Sequence, residues 1–315
     1  MRSLRIVFMG TPDFAVASLK ALIEHNYEVV GVITAPDRPA GRGQAMRQSA
    51  VKEYASSLGL NVLQPTNLKA ADFLTQLAEL KANLQVVVAF RMLPKVVWQM
   101  PEYGTFNLHA SLLPDYRGAA PINWAIINGE EKTGVTTFFI DEKIDTGAII
   151  SQTECAITEQ DTAGSLHDTL MILGAELVIN TVQRIEKDEA KTVSQKHSEV
   201  LKEAPKLSKE HGQIKWNRPI KEIYNQIRGL SPYPVAWTTL VNDEETSYLK
   251  VYKAAYTRED HTLPFGKIVG DKRSIKVAVA GGYIWLEEIQ LPGKRKMEVK
   301  DVLNGLKLEQ NAHVL

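Results

Sequence analysis

Apolar runs of strand length alternate with helically spaced stretches through the first half of the chain. Residues 4–9 form a short apolar run that stops at Gly10-Thr11-Pro12. Ala15, Leu19, Leu22 and Ile23 then share one helical face over 15–23, and 29–33 is apolar again. Strand, helix, strand at this spacing predicts a parallel βαβ unit with a right-handed crossover. Helices follow over 49–58 and 70–80, with a short strand at 61–63 between them. The run at 86–89 is wholly apolar, as in the middle of a parallel sheet covered on both faces. A strand at 105–109, a helix at 119–127 with Pro121 in its first turn, and strands at 135–140 and 148–152 come next. A helix over 162–186 closes this half, with Leu166, Leu170, Leu173 and Leu177 on one stripe.

The pattern then changes. Residues 187–205 are polar and charged, as in an interdomain linker. A helix near 220–228 is broken by Ser231-Pro232-Tyr233-Pro234. Short β-rich runs follow at 236–240, 248–256, 267–269, 275–279 and 283–290, with glycine turns between them, which suggests a small barrel. The expected layout is an α/β domain with a mainly parallel sheet over 1–188, a linker at 189–207 and a β-barrel domain at 208–315. A length of 315 residues agrees with two domains.

Composition narrows the class. Hydrophobic residues make up 44% and charged residues 23%, the proportions of an ordinary soluble globular protein. Cys155 is the single cysteine, so no intramolecular disulfide can form. The formal net charge is zero but unevenly spread. Residues 208–315 carry 17 Lys and Arg against 13 Asp and Glu, and residues 1–207 carry 20 against 24. A mildly basic second half hints at a polyanionic partner. No run approaches the roughly 18 apolar residues of a spanning helix, and the first apolar run reads as a strand rather than a leader. The cytoplasm is the expected location, with no membrane partner. No Cys/His spacing resembles a zinc site, and P-loop and G-x-S-x-G patterns are absent. Gly10 alone reads as a tight βα turn, not a dinucleotide fingerprint.

Candidate chemistry gathers at Asn107-Leu108-His109-Ala110-Ser111-Leu112-Leu113-Pro114, followed by Arg117-Gly118. Two residues apart on a strand, Asn107 and His109 point to the same side. Pro114 cannot extend a paired strand, so the chain turns there. Strand ends of this kind are where open α/β sheets place ligands. An amide donor beside an imidazole suits a carbonyl that becomes an oxyanion. A second feature is the stretch 34–47, with two prolines, two glycines and the arginines Arg38, Arg42 and Arg47. It is too rich in Pro and Gly for a helix or a central strand and long for a βα loop; its arginines either grip phosphates or are simply solvated.

The 107–118 stretch resembles the signature of the folate-dependent formyltransferases, and Asp145-Thr146-Gly147 matches their downstream Asp-x-Gly. The similarity runs nearly end to end and is strongest to the branch acting on methionyl-tRNA. Lys206-Leu207-Ser208, Ile214-Lys215-Trp216 and Ser231-Pro232-Tyr233-Pro234 extend it into the second half. The resemblance implies a Rossmann-like catalytic domain followed by an OB-like domain that binds tRNA. It implies Asn107, His109 and Asp145 as catalytic residues, Ser111, Leu112, Leu113 and Pro114 beside the folate, and Arg38, Arg42 and Arg47 toward the tRNA acceptor end. It implies 10-formyltetrahydrofolate as formyl donor and initiator methionyl-tRNA as acceptor, with no metal, and a monomer is expected. Two positions depart from the pattern: Gln44-Ala45, where lysines are usual, and Arg91, where the loop near the pterin usually has glycine. Rival readings are formylation of an aminosugar nucleotide or of glycinamide ribonucleotide, hydrolysis of the formyl group, a tRNA-binding protein without catalysis, and a nicotinamide oxidoreductase. The resemblance also implies that glycinamide-type enzymes lack the second domain and that sugar-modifying ones carry an added dehydrogenase domain.

Overall fold

The structure is a computed structural model that describes residues 2–40, 45–195 and 201–315. By contacts the chain forms two compact units. One comprises Met1–Gly118, Thr133–Cys155 and His167–Glu203; the other comprises Ala119–Lys132, Ala156–Leu166 and Ala204–Leu315.

The first unit is built on a seven-stranded sheet. Its strands are β1 (Arg5–Gly10), β2 (Glu28–Ile33), β3 (Val62–Leu63), β4 (Leu84–Val88), β5 (Thr105–His109), β6 (Lys132–Phe139) and β7 (Ile149–Ala156), in the order β7-β6-β5-β4-β1-β2-β3. The pairs β1/β2, β1/β4, β2/β3 and β4/β5 are parallel, while β5/β6 is antiparallel. Strand order reverses between β1 and β4, so their carboxyl ends open the crevice where such sheets bind ligands. The helices are α1 (Asp13–Glu24), α2 (Ala50–Ser57), α3 (Ala71–Glu79) and, from His167 onward, the long helix Ala163–Glu186. Ser49 caps α2 by accepting the Lys52 N–H at 3.0 Å, which fixes where that helix starts.

One face of the sheet packs Val7, Met9, Ile33 and Val87 against Phe73 and Leu77 of α3 and Val97. Leu108 points the other way, where the long helix comes close enough that a Cβ on Gly174 would stand 2.7 Å from it. Thr137 and Thr181 pair their buried hydroxyls at 2.8 Å between sheet and helix, so neither is left unsatisfied. Gly10 ends β1 where a Cβ would stand 2.6 Å from that of Ala15, the close strand-to-helix turn expected of it.

Residues 34–47 are not wholly irregular. Arg38–Ala40 and Ala45–Arg47 pair as a small antiparallel ribbon, with Arg38 directly opposite Arg47. Among the described residues the ribbon has no further strand beside it, so Pro39 removes no needed ladder bond. Its base is held by Asp37, which takes Lys52 Nζ at 2.6 Å and Gln64 Nε2 at 2.7 Å. These donors, Lys52 first, hold the Asp37 carboxyl below its ordinary range.

The second unit contains an antiparallel sheet ordered Ile268–Gly270, Ile275–Val279, Gly282–Gln290, Glu245–Arg258, Ala236–Asn242, His313–Val314. Lys267 bridges His313, and Val314 N–H reaches Gly266 O at 2.9 Å, so the two ends of the sheet meet. This is the predicted barrel, nearly closed. Its core includes Val251, Val277, Ile284 and Ile289, with Ile223 and Ile227 from the helix Ile220–Gly229. The helix Pro121–Ile127, with proline in its first turn, also belongs here: Asn123 Nδ2 donates to Gly229 O at 2.8 Å. Periodicity shows that helix but not which core it joins.

Candidate active site

Asn107 lies across from Val87 in the β4/β5 register, and His109 is two residues on, so both side chains share a face. Asn107 is half-buried, and among the described residues no group hydrogen-bonds its side chain. His109 is 7% exposed. Its Nε2 donates to Tyr116 O at 2.8 Å, and its Nδ1 lies 3.8 Å from Asp145 Oδ2. The Tyr116 carbonyl thus holds one ring nitrogen by a hydrogen bond, and the Asp145 carboxylate faces the other at longer range.

Asp145 reaches His109 from the turn between β6 and β7. Its backbone is left-handed at φ 55°, and its Oδ2 also accepts the Gly118 N–H at 3.0 Å. Gly147 is required by space: a Cβ there would stand 1.7 Å from Phe139 O. Sequence spacing does not join Asp145 to His109; the sheet brings them together because β6 pairs with β5.

The turn after β5 is rigidly held. Ser111 is fully buried, and its hydroxyl donates to Asp115 O at 2.7 Å. Thr136 Oγ1 donates to Ser111 O at 2.6 Å and accepts the Leu113 N–H at 3.2 Å, and Gln152 Nε2 reaches Leu113 O at 3.0 Å. The Leu113–Pro114 peptide is cis. Nothing in the sequence marks Thr136, Gln152 or the Tyr116 carbonyl. Their contribution is to backbone geometry, which no side-chain spacing records. The same holds for Gln195, which touches Asp145, Gly147 and Arg117.

Arg38 and Arg47 are exposed on the ribbon; Arg42 and Gln44 lie outside the described residues. Arg91 is not simply solvated. It donates to Thr66 O at 2.9 Å and to Pro65 O, and it lies 5.7 Å from the centre of the Phe90 ring. Burial, with Arg38 nearby, lowers its pKa. Among the described residues, no group of three or more His, Cys, Asp or Glu could hold a metal ion, and no helix is long and apolar enough to cross a membrane.

The comparisons with known proteins point to a formyl-transferring class. The family model described as formyl transferase matches residues 4–182, and that described as formyl transferase, C-terminal domain, matches 206–307. Methionyl-tRNA formyltransferase of Flavobacterium johnsoniae is 57% identical over the whole of both chains. That of Bacteroides thetaiotaomicron is 53% identical over 97% of this chain and 96% of its own. The chain belongs to the methionyl-tRNA formyltransferase family.

Solved structures share the fold. The sugar 3N-formyl transferase WlaRD has a TM-score of 0.66 at 20% identity, covering 94% of this chain and 100% of its own. HypX from Aquifex aeolicus, in complex with tetrahydrofolic acid, has a TM-score of 0.66 at 18% identity, covering 98% of this chain and 49% of its own. The first of these corrects one expectation. A sugar formyltransferase can match nearly all of this chain with nothing left over, so the two-part layout does not by itself separate tRNA from sugar acceptors.

Proposed function

We propose that this chain transfers the formyl group of 10-formyltetrahydrofolate to the amino group of the methionine on initiator methionyl-tRNA, in the cytoplasm, for translation initiation. The observation that carries the reading is the 57% identity, over full length, to a methionyl-tRNA formyltransferase. The grouping of Asn107, His109 and Asp145 supports it chemically.

In this reading the neutral amine attacks the formyl carbon, and a new C–N bond forms. The carbonyl oxygen becomes an oxyanion. Asn107 donates to it with an amide that has no competing partner among the described residues. His109 donates from Nε2, exchanging the Tyr116 carbonyl for the oxyanion. Asp145 holds the imidazole from the Nδ1 side and takes the amine proton, directly or through water. The bond from N10 to the formyl carbon then breaks as the oxyanion re-forms the carbonyl, N10 receives the proton that Asp145 took, directly or through water, and tetrahydrofolate leaves. Ser111, Leu112, Leu113 and Pro114 line the folate side, Ser111 by fixing the turn rather than by its committed hydroxyl. Arg38, Arg42 and Arg47 meet the acceptor end of the tRNA. Like charges directly opposite on a ribbon repel, so the Arg38/Arg47 pair favours a phosphate lying across it. Residues 208–315 carry the basic surplus and bind the tRNA body.

The test is formyl transfer from 10-formyltetrahydrofolate to Met-charged initiator tRNA, with Met-charged elongator tRNA, an aminosugar nucleotide and glycinamide ribonucleotide alongside. Selective formylation of the initiator is expected. Product on a small amine with none on tRNA overturns the acceptor assignment and leaves the chemistry of the three residues standing.

A further inference from the structure

The polar stretch after the long helix has the composition of a linker, yet its described part docks at the site. Ile149 N–H donates to Val193 O at 2.8 Å and Val193 N–H to Ile149 O at 2.9 Å, an antiparallel bridge at the start of β7. Gln195 follows, half-buried, and uses both ends of its amide. Nε2 donates to Asp145 O at 2.9 Å and to Gly147 O at 2.8 Å. Oε1 accepts from Arg117 Nε at 3.2 Å and from Arg117 Nη2 at 2.5 Å.

These bonds join the two halves of the site. Arg117 sits beside Gly118, whose N–H holds the Asp145 carboxylate. Gln195 therefore grips the backbone on both sides of Thr146 while Gly118 grips the Asp145 side chain. Asp145 adopts a left-handed backbone that residues with a Cβ seldom take. Donors to the carbonyls of residues 145 and 147 hold that turn from outside, beside the Gly118 N–H on the Asp145 side chain.

We infer that Gln195 is a positioning residue for Asp145: its amide locks the Asp145–Gly147 turn to Arg117 and so sets the carboxylate against His109. The inference rests on the proposed roles of Asp145 and His109. It gives the segment between the two family-matched regions a part in the reaction as well as in connection.

The experiment compares the wild-type protein with Gln195→Ala, Gln195→Glu and Asp145→Asn. Glutamate keeps the acceptor for Arg117 and removes both donors to the turn, so it isolates the bonds in question. The first readout is the ¹⁵N resonance of His109 Nδ1, which reports its contact with Asp145 and needs no substrate. Both Gln195 variants are expected to move that resonance toward its position in Asp145→Asn. The second readout is kinetic: kcat falls about tenfold with KM for donor and tRNA changed by less than about twofold, the mark of lost positioning rather than lost binding. A wild-type Nδ1 resonance in both Gln195 variants overturns the inference, as does a wild-type kcat in Gln195→Glu. If the wild-type protein does not formylate methionyl-tRNA, the functional reading fails, and the resonance still decides the role of Gln195.

Discussion

The carbonyl of Tyr116 can only accept, so His109 Nε2, 2.8 Å away, is the donor of the bond between them. That leaves Nδ1 to face Asp145 Oδ2 at 3.8 Å, a separation at which the carboxylate orients the ring without a tight hydrogen bond. Among the described residues, Asn107 is the member of the trio whose side-chain donor has no hydrogen-bond partner. Removing Asn107, His109 or Asp145 as Ala variants is expected to cut kcat/KM by about 10²–10³, the usual loss for an oxyanion donor or a general acid–base group. Circular dichroism should stay that of the wild type, since none of the three belongs to an apolar core cluster. Near-normal turnover in any one variant removes that residue from the mechanism. The trio was only partly legible in the sequence. Asn107 and His109 declare themselves by their two-residue spacing on a strand. Asp145 needs the β5/β6 pairing, and its place in the chain was read only through family resemblance. Gln195 was hidden because a glutamine in a polar stretch looks solvated until its amide is seen between two backbone carbonyls and a guanidinium.

Among the elements, the turn bearing Asp145 tolerates least. A Cβ on Gly147 meets Phe139 O at 1.7 Å, and that atom is backbone, so it cannot rotate away. Gly147→Ala is expected to lower the stability of the first unit by about 2 kcal/mol or more in denaturant unfolding. Gly305→Ala, where nothing lies within 4 Å, should be nearly neutral. A second element-level prediction concerns the residues before the long helix. Asp161 accepts from Thr158 N at 2.8 Å, Thr158 Oγ1 at 2.7 Å and Ser165 Oγ at 2.9 Å. Burial alone would raise its carboxyl; these bonds, with Arg228 behind them, outweigh burial and hold it below the ordinary value. A carboxyl lowered in the folded state contributes stability above its unfolded pKa and loses it as pH falls through the folded one. Asp161→Asn should therefore be less stable than wild type at pH 7, by an amount that solvent screening keeps small, and the gap should narrow as pH falls through the carboxylate range. A pH-independent difference would show that the charge is not what matters there. Long elements were readable because period 2 and period 3.6 persist over many residues. The 38–47 ribbon was not, because three-residue strands containing a proline carry no period.

Over the whole molecule, a fold shared with a sugar formyltransferase leaves acceptor choice to particular surface residues rather than to the architecture. Zero net charge gives little long-range attraction for a polyanion, so local groups must supply it. Arg38 and Arg47 are the described candidates in the first unit: both are exposed, they stand opposite one another, and neither has an ion-pair partner among the described residues. In the free protein their repulsion opposes the ribbon; with a phosphate between them the same charges become binding energy. Arg38→Ala and Arg47→Ala together should raise KM for methionyl-tRNA about tenfold or more and leave KM for the formyl donor unchanged. Each lost phosphate contact removes about 0.7–0.9 from the slope of log K against log salt, so the double variant should flatten that slope by about 1.5. Its melting temperature should hold or rise, because the repulsion is gone. A tRNA affinity that falls with no change in salt slope would mean the arginines shape the ribbon rather than neutralise phosphate, and a donor KM that rises in parallel would place them on the folate instead.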